Sequence, residues 1–494
     1  MQPVPLLAIM LSKSKFMPKL CAEWRRFATA KPYMTKDSTA NSVPSSVPLA
    51  TTFSGKLLSI PRTFPQRNRT VKHTFSKIGN LLGGGSGIGE LMEDLGLALS
   101  QGGSEMKMLG GGQPAQIPVI NEVWRKRLSE IAENPMAATR LLSIYDPPQG
   151  NPEFIAAMAK LLRDSFGWDI SAENICLTSG GQTAFFDLFN LLAGEMPDGS
   201  TRKILFPLVP EYIGYAAQGL DPGMFRALRP NIEEIGEHEF KYHINFDRLQ
   251  VGDDVAAICV SRPTNPTGNV LSDSEIERLS AIAKEKGIPL IIDNAYGAPF
   301  PGIIFTNAKP IWDEHIILTL SLSKLGLPGT RTGIVVGPVE IIRALTSMTA
   351  ITGLANPSIG QQIVLPLIRD ASILELSKET IGPYYREKSR IAQAVARETF
   401  AEKFPWKMHR SEGALFLWFW FPGLPVASAE LYRRLKAKHV LVIPGHYFFF
   451  GCDEEEWPHR NECIRVSFAT DEVTLREGLA MIAEEIALAF TPPA

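Results

Sequence analysis

The run Ser321-Leu322-Ser323-Lys324-Leu325-Gly326-Leu327-Pro328-Gly329-Thr330-Arg331 decides how the rest of the chain is read. Ahead of it stands Ile316-Ile317-Leu318-Thr319-Leu320, a short apolar run that predicts a buried strand. A lysine just past the carboxyl end of such a strand lies in the crevice where open α/β sheets bind ligands. Partial burial beside other cations lowers the pKa of its amine, and the neutral amine is a nucleophile toward a carbonyl carbon. Ser321, Ser323 and Arg331 add two hydroxyls and a guanidinium suited to a phosphate. Taken alone, Ser-x-Ser-Lys also describes an ordinary solvated turn, so its meaning rests on what stands upstream.

Two upstream strands end in the same manner. Ala256 to Val260 is apolar and leads into Ser261-Arg262-Pro263-Thr264-Asn265-Pro266-Thr267-Gly268-Asn269, where two prolines restrict the loop and fix the Asn265 amide. Ser272 with Glu275 gives a capping box, a helix runs to Lys286, and Gly287 ends it. Pro289 to Ile292 then forms a strand that puts Asp293 at its carboxyl end, just before Asn294-Ala295-Tyr296. Strand, helix and strand with short joints make a parallel crossover, so Asn265, Asp293 and Lys324 are expected along one edge of one sheet. Further upstream, the strand Ile175 to Thr178, the turn Ser179-Gly180-Gly181-Gln182 and the helix Thr183 to Leu192 aim free N–H groups at one point, where an anion binds well. Tyr212 offers a ring to cover a flat ligand. Leu109-Gly110-Gly111-Gly112-Gln113-Pro114 offers a backbone wall that a ligand can approach closely. Arg465 stands in the otherwise apolar run Cys463 to Phe468, and a buried arginine needs an anion such as a substrate carboxylate.

A lysine for an imine, an acid at the neighbouring strand end and a phosphate cradle together fit pyridoxal phosphate, which has an aldehyde, a ring nitrogen and a phosphate. Through Asn265-Pro266-Thr267-Gly268, Asp293-Asn294-Ala295-Tyr296, Ser321-Leu322-Ser323-Lys324, Arg331 and Arg465, in this order, the chain resembles the fold-type I aminotransferases from about Thr74 to its C-terminus. The resemblance implies an α/β fold, with a large, mostly parallel sheet domain flanked by helices and a smaller α+β domain. It implies that Lys324 holds the cofactor as an imine and moves the substrate's α-proton, that Asp293 pairs with the protonated ring nitrogen, and that Asn265 and Tyr296 bind the phenolic oxygen. Gly180, Gly181, Gln182, Ser321, Ser323 and Arg331 would cradle the phosphate, and Tyr212 would stack on the ring. Tyr145 would reach the neighbouring subunit's phosphate in a homodimer with shared active sites. Arg465 would grip the substrate α-carboxylate, with Gly111, Gly112 and Asn265 lining the same site. The implied reaction passes an amino group between valine, or another small apolar amino acid, and pyruvate, giving 2-oxoisovalerate and alanine. A broad alanine or aromatic aminotransferase, or a β-lyase or decarboxylase using the same imine, stays open. A cofactor-bearing regulator would favour an appended DNA-binding region, and the basic leader shows no helix-turn-helix pattern.

Composition bounds the remaining classes. With 494 residues, 45% of them apolar, and a formal charge of -2, the chain is long enough for two or more domains and gives no reason to expect nucleic acid. Five scattered cysteines form no C-x-x-C, eight histidines form no H-E-x-x-H, and no metal site is expected. No run of about 18 apolar residues predicts a membrane span. The first 70 residues carry eleven Lys or Arg against only Glu23 and Asp37, the bias of an organelle transit peptide. Arg25-Arg26-Phe27-Ala28 looks like a mitochondrial processing site, whereas the Ser/Thr/Pro-rich part from Thr35 to Thr63 also suits a plastid, and a cytoplasmic protein with a basic tail is the third reading. The expected division is a leader over 1–72, an N-terminal arm with part of the small domain over 73–140, a large cofactor-binding domain over 141–375, and a small domain over 376–494. Gly83 to Gly89 is expected as a flexible joint.

Overall fold

A computed structural model describes residues 73–100, 106–452 and 457–491, so the leader expected over 1–72 lies outside the described residues. The larger sheet follows the order Ile175–Thr178, Gly333–Val336, Ile316–Ser321, Leu290–Asp293, Val255–Ser261, Thr201–Phe206 and Gly194–Glu195, with Phe225–Ala227 also paired to Thr201–Phe206. Its centre is parallel, and the strands Gly333–Val336 and Gly194–Glu195 run antiparallel. Val255–Ser261 and Ile316–Ser321 are buried at every position, which is why they read as unbroken apolar runs rather than as alternating ones. The expected α/β class, with a mostly parallel sheet, is what the chain adopts.

Register fixes where the chemistry falls. Ser261 lies opposite Asp293, and Asp293 opposite Thr319, so three strands end at one level. The loops that leave them carry Asn265, Tyr296 and Lys324 to the same edge. The crossover helix Asp273–Lys286 begins at the Ser272–Glu275 capping box and ends on Gly287 in the left-handed region, as the spacing predicts.

The second sheet follows the order Ile443–Pro444, Cys463–Ser467, Phe416–Trp420, Lys407–His409, Glu239–His243 and Asn231–Glu234. Its last two strands come from inside the 141–375 span expected for the large domain. The chain leaves the first sheet after Phe225–Ala227, pairs Glu239–His243 in parallel with Lys407–His409, and returns with Val255–Ser261. Phe240 and Tyr242 drive this excursion, because both rings are buried, with Phe240 edge-on to Trp420 and His409.

The glycine-rich segment is not a flexible joint. Helices Lys77–Gly83 and Gly87–Ser100 are joined by a short turn in which the Ser86 hydroxyl accepts from the Gly89 N–H at 3.0 Å. A Cβ on Gly87 would meet the Tyr447 ring at 2.7 Å, so glycine there serves close packing. The four described cysteines, Cys176, Cys259, Cys452 and Cys463, are buried and form no disulfide. Among the described residues no helix is long and apolar enough to cross a membrane.

One buried ion pair ties the Asn265 loop to the second sheet. Lys241 pairs with Glu412 and donates to Asn269 Oδ1 at 2.9 Å and to the Val270 carbonyl at 3.1 Å, while Glu412 Oε2 accepts from the Val270 N–H at 3.0 Å. Removing one partner strands the other charge in the core, a loss of about 3 kcal/mol or more. Lys241→Met is therefore expected to lower unfolding stability in urea by about that amount, and Lys241→Met with Glu412→Leu to recover much of it. Equal losses in the single and double variants would contradict this reading.

Candidate active site

A cavity of about 560 Å³ opens where the three strands end, large enough for a cofactor and a small substrate. Its wall includes Gly111, Gly112, Gly181, Gln182, Tyr212, Asn265, Asp293, Tyr296, Ser321, Ser323, Lys324, Arg331 and Arg465. Thus nearly every residue singled out in the sequence meets in one space. Gly180 adjoins it, and Tyr145 does not line it.

The anion end is built from the start of helix Gly181–Leu192. Gly180 is its N-cap with φ +93°, no side chain caps the first turn, and no acid stands there. A Cβ on Gly180 would meet the Arg331 guanidinium at 2.2 Å, so this glycine lets the arginine lie across the helix end. Nothing lies within 4 Å of a Cβ built on Gly181. Free amides, a guanidinium and the nearby Ser321 and Ser323 form a cradle whose chemistry fits a phosphate.

Asp293 stands at the wall with its carboxylate fully engaged. Tyr215 Oη donates to Oδ2 at 2.5 Å, the Ala295 N–H donates to Oδ1 at 2.8 Å, and Thr319 Oγ1 reaches Oδ1 at 3.5 Å. Burial pushes its pKa up, while these donors and the Lys324 charge pull it down. Lys324 follows the strand Ile316–Ser321 and donates to the Gly112 carbonyl, with Nζ 5.1 Å from the Tyr296 ring centre. Burial, then the charges of Arg465 and Arg331, lower its pKa to about 8, against a weaker opposing pull from Asp293. An amine so placed can be neutral near physiological pH, as a nucleophile or proton carrier requires.

Arg465, only 5% exposed, rises from the second sheet and lies 4.0 Å over the Phe416 ring. It donates to Asn265 Oδ1 at 2.6 Å and to the Gly110 carbonyl at 2.8 Å, and its Nε has no partner. No carboxylate pairs with it among the described residues. A buried guanidinium held only by neutral acceptors is a receptor for an anion, so a substrate carboxylate fits.

Several wall residues were not singled out in the sequence. Ser261 is one of them, and Ile88, Leu91 and Met92 of helix Gly87–Ser100 supply an apolar wall beside Met108 and Ile443, while Tyr215 stands behind the wall and joins Asp293 to Ser261. The i, i+3, i+4 spacing of Ile88, Leu91 and Met92 was a readable sign of one helical face. Tyr145 is 80% exposed, next to Leu142 and Ile144, which are also exposed.

The lowered pKa of Lys324 has a stability consequence of definite sign. Below about 8 the amine is charged in the folded and the unfolded chain alike, and the cost of burying that charge is fully present. Between about 8 and the ordinary 10.5 only the unfolded chain binds the proton, so this group's contribution to stability rises with pH. Because the amine opens on the cavity, solvent trims the cost to about 2 kcal/mol. Cofactor-free Lys324→Met is expected to be more stable than the parent by about that much at pH 7, with the gap closing above pH 8. A gap of opposite sign, or one indifferent to pH, would refute the assignment.

A profile described as aminotransferase class I and II matches residues 233–482. Valine-pyruvate aminotransferase of Escherichia coli K12 is 47% identical over 417 residues, covering 84% of this chain and 99% of that protein. A crystal structure of valine-pyruvate aminotransferase from Salmonella typhimurium is similar at 45% identity and a TM-score of 0.76, covering 82% of this chain and all of that one. A putative amino-acid aminotransferase structure from Psychrobacter arcticum is similar at 41% identity and a TM-score of 0.82, covering 85% of this chain and all of that one. On the fold, the cavity and these likenesses, the chain belongs to the class I and II aminotransferases.

Proposed function

We propose that the protein transfers an amino group between valine, or another small apolar amino acid, and pyruvate, giving 2-oxoisovalerate and alanine, with pyridoxal phosphate as its cofactor. The observation that carries this reading is the allocation of charge in the cavity. Its charged wall residues among those described are Asp293, Lys324, Arg331 and Arg465. Arg331 belongs to the phosphate cradle, Lys324 and Asp293 to the cofactor, and Arg465 to the α-carboxylate. No cation is left among them for a second carboxylate, while Ile88, Leu91, Met92, Met108 and Ile443 offer apolar contact. An acidic side chain would be buried unpaired there, and a branched apolar one would be well placed. The E. coli relative, named for valine and pyruvate, supports the same substrate pair.

When bound, pyridoxal phosphate supplies an aldehyde for an amine and a ring that withdraws electrons from the substrate α-carbon. The chain's own residues do the rest. Arg465 fixes the α-carboxylate through two parallel N–H groups and so orients the α-carbon. The Lys324 amine, poised near pH 8, would take the α-proton onto Nζ and deliver it to the carbon that the cofactor's aldehyde supplies. Asp293 would keep a negative charge beside the ring nitrogen, and Asn265 and Tyr296 would bind the ring oxygen. Gly180, Gly181, Gln182, Ser321, Ser323 and Arg331 would hold the phosphate, and Tyr212 would cover the ring.

A homodimer completes the site through Tyr145. Ser358 Oγ on Asp146 at 2.6 Å and Asn356 on the Pro148 carbonyl at 3.2 Å tie the segment bearing exposed Ile351, Leu354 and Ile359 to the segment bearing Leu142 and Tyr145. Large apolar side chains exposed together on a monomer favour a second copy. Sedimentation should give twice the chain mass, and a monomer with full activity would remove this part of the reading. Residues 1–72 are proposed as a targeting leader for the mitochondrion, with plastid and cytoplasm as the alternatives a fluorescent fusion of that segment would reveal.

Purified protein given valine and pyruvate should form alanine, with aspartate and phenylalanine poor donors. Reaction only with an acidic or aromatic donor would overturn the substrate assignment. Arg465→Met should lower kcat/KM for valine by about a hundredfold or more, the cost of losing one side of a buried charge pair. An effect within a few-fold would show that the α-carboxylate binds elsewhere.

A further inference from the structure

Glu211 is wholly buried, 0% exposed, and has no part in the chemistry described above. It stands one residue before Tyr212 and outside the cavity wall. Its Oε1 accepts from the Ser261 N–H at 2.9 Å, its Oε2 lies 2.6 Å from Ser261 Oγ, and the Tyr212 N–H reaches Oε2 at 3.3 Å. Ser261 Oγ is 3.5 Å from Tyr215 Oη, which donates to Asp293 Oδ2 at 2.5 Å. Two carboxyl groups are thus joined through two hydroxyls.

Among the described residues, the charge that bears most on Glu211 is that of Asp293, and Tyr212, Tyr215 and Cys259 are titratable groups of the same cluster. Two carboxylates sharing one low-dielectric network do not both ionise cheaply, so one of them keeps a proton. Burial, and secondarily the Asp293 charge, push Glu211 up to about 8 despite the Ser261 and Tyr212 donors. Burial raises Asp293 as well, but it has what Glu211 lacks, the Lys324 charge beside the Tyr215, Ala295 and Thr319 donors, all favouring its anion.

We propose that Glu211 is a positioning residue for Asp293, a neutral acid that starts a one-way donor chain from Glu211 to Ser261 to Tyr215 to Asp293. The Glu211 O–H donates to Ser261 Oγ, the Ser261 O–H to Tyr215 Oη, and the Tyr215 O–H to Asp293 Oδ2. Each hydroxyl accepts one bond and gives one, so the proton count closes with a single acid at one end and a single carboxylate at the other. An ionised Glu211 would turn Ser261 toward itself, and Tyr215 would lose the donor that orients it. The 3.5 Å link is the weakest, so the chain's direction is set mainly by the proton on Glu211. For the cofactor, this device rests on the reading of Asp293 as the partner of a ring nitrogen.

The test uses the full chain with and without pyridoxal phosphate. Difference infrared spectra of the cofactor-free protein at pH 7 should contain a protonated-carboxyl band that Glu211→Gln removes. This arm is independent of the cofactor reading. In cofactor titrations Glu211→Gln, whose amide can donate to Ser261 Oγ and accept from the Ser261 N–H, should stay within about threefold of the parent Kd. Glu211→Leu leaves both Ser261 groups unpaired and should weaken binding by about tenfold or more. Ser261→Ala, which cuts the chain while leaving Glu211 in place, should also weaken binding if Glu211→Leu fails to fold. Absence of the band, or a Glu211→Gln variant as impaired as Glu211→Leu or Ser261→Ala, would overturn the proposal.

Discussion

Three parallel strands in register, Val255–Ser261, Leu290–Asp293 and Ile316–Ser321, set the constraint that everything else in the molecule accommodates. Apolar side chains fill both faces of these strands, so polar residues can appear only where the strands stop. Thr319 lies opposite Asp293 in the ladder, and with Tyr215 and the Ala295 N–H it gives the carboxylate fixed donors before any ligand arrives. The same register delivers Lys324 into a space that already holds two arginines. Crowding by Arg465 and Arg331 adds to burial in loosening the amine's proton, and Asp293 is too weak a counterweight to restore it. Fold and reactivity are therefore one arrangement seen at two scales.

The second sheet contributes Arg465, the guanidinium proposed to receive the substrate carboxylate. Arg465 lies opposite Trp418 in the ladder and over the Phe416 ring, and its bonds to Asn265 and Gly110 reach 200 and 355 residues along the chain. Its guanidinium thereby joins the loop after Val255–Ser261 to the glycine wall. The Lys241–Glu412 pair holds that loop from the other side. The choice of substrate lies in the side chains that face the cavity and not in the fold itself.

What could be read from the sequence was what local pattern encodes. Asp293 and Lys324 each follow an unbroken apolar run, and Gly180 and Gly181 sit between a strand and a helix, so their places followed from the neighbours within a few residues. Arg465 was legible because a charge inside an apolar strand needs a reason. Tyr215 and Glu211 were not legible, since their partners Asp293 and Ser261 lie 78 and 50 residues away and no period links them. The excursion of Asn231–Glu234 and Glu239–His243 into the second sheet was hidden for the same reason, because strand pairing across about 170 residues leaves no local mark. Gly83 to Gly89 misled because glycine marks close packing as often as freedom, and the Tyr447 ring that decides between them is far along the chain.

The central claim is that one amine, that of Lys324, carries the cofactor. Borohydride reduction of the yellow holoenzyme, followed by digestion and mass spectrometry, tests it most directly. The account predicts a single peptide bearing the reduced pyridoxyl group, with the added mass on Lys324 and the visible band bleached in step. A colourless protein, or a label spread over other lysines with Lys324 unmodified, would contradict it.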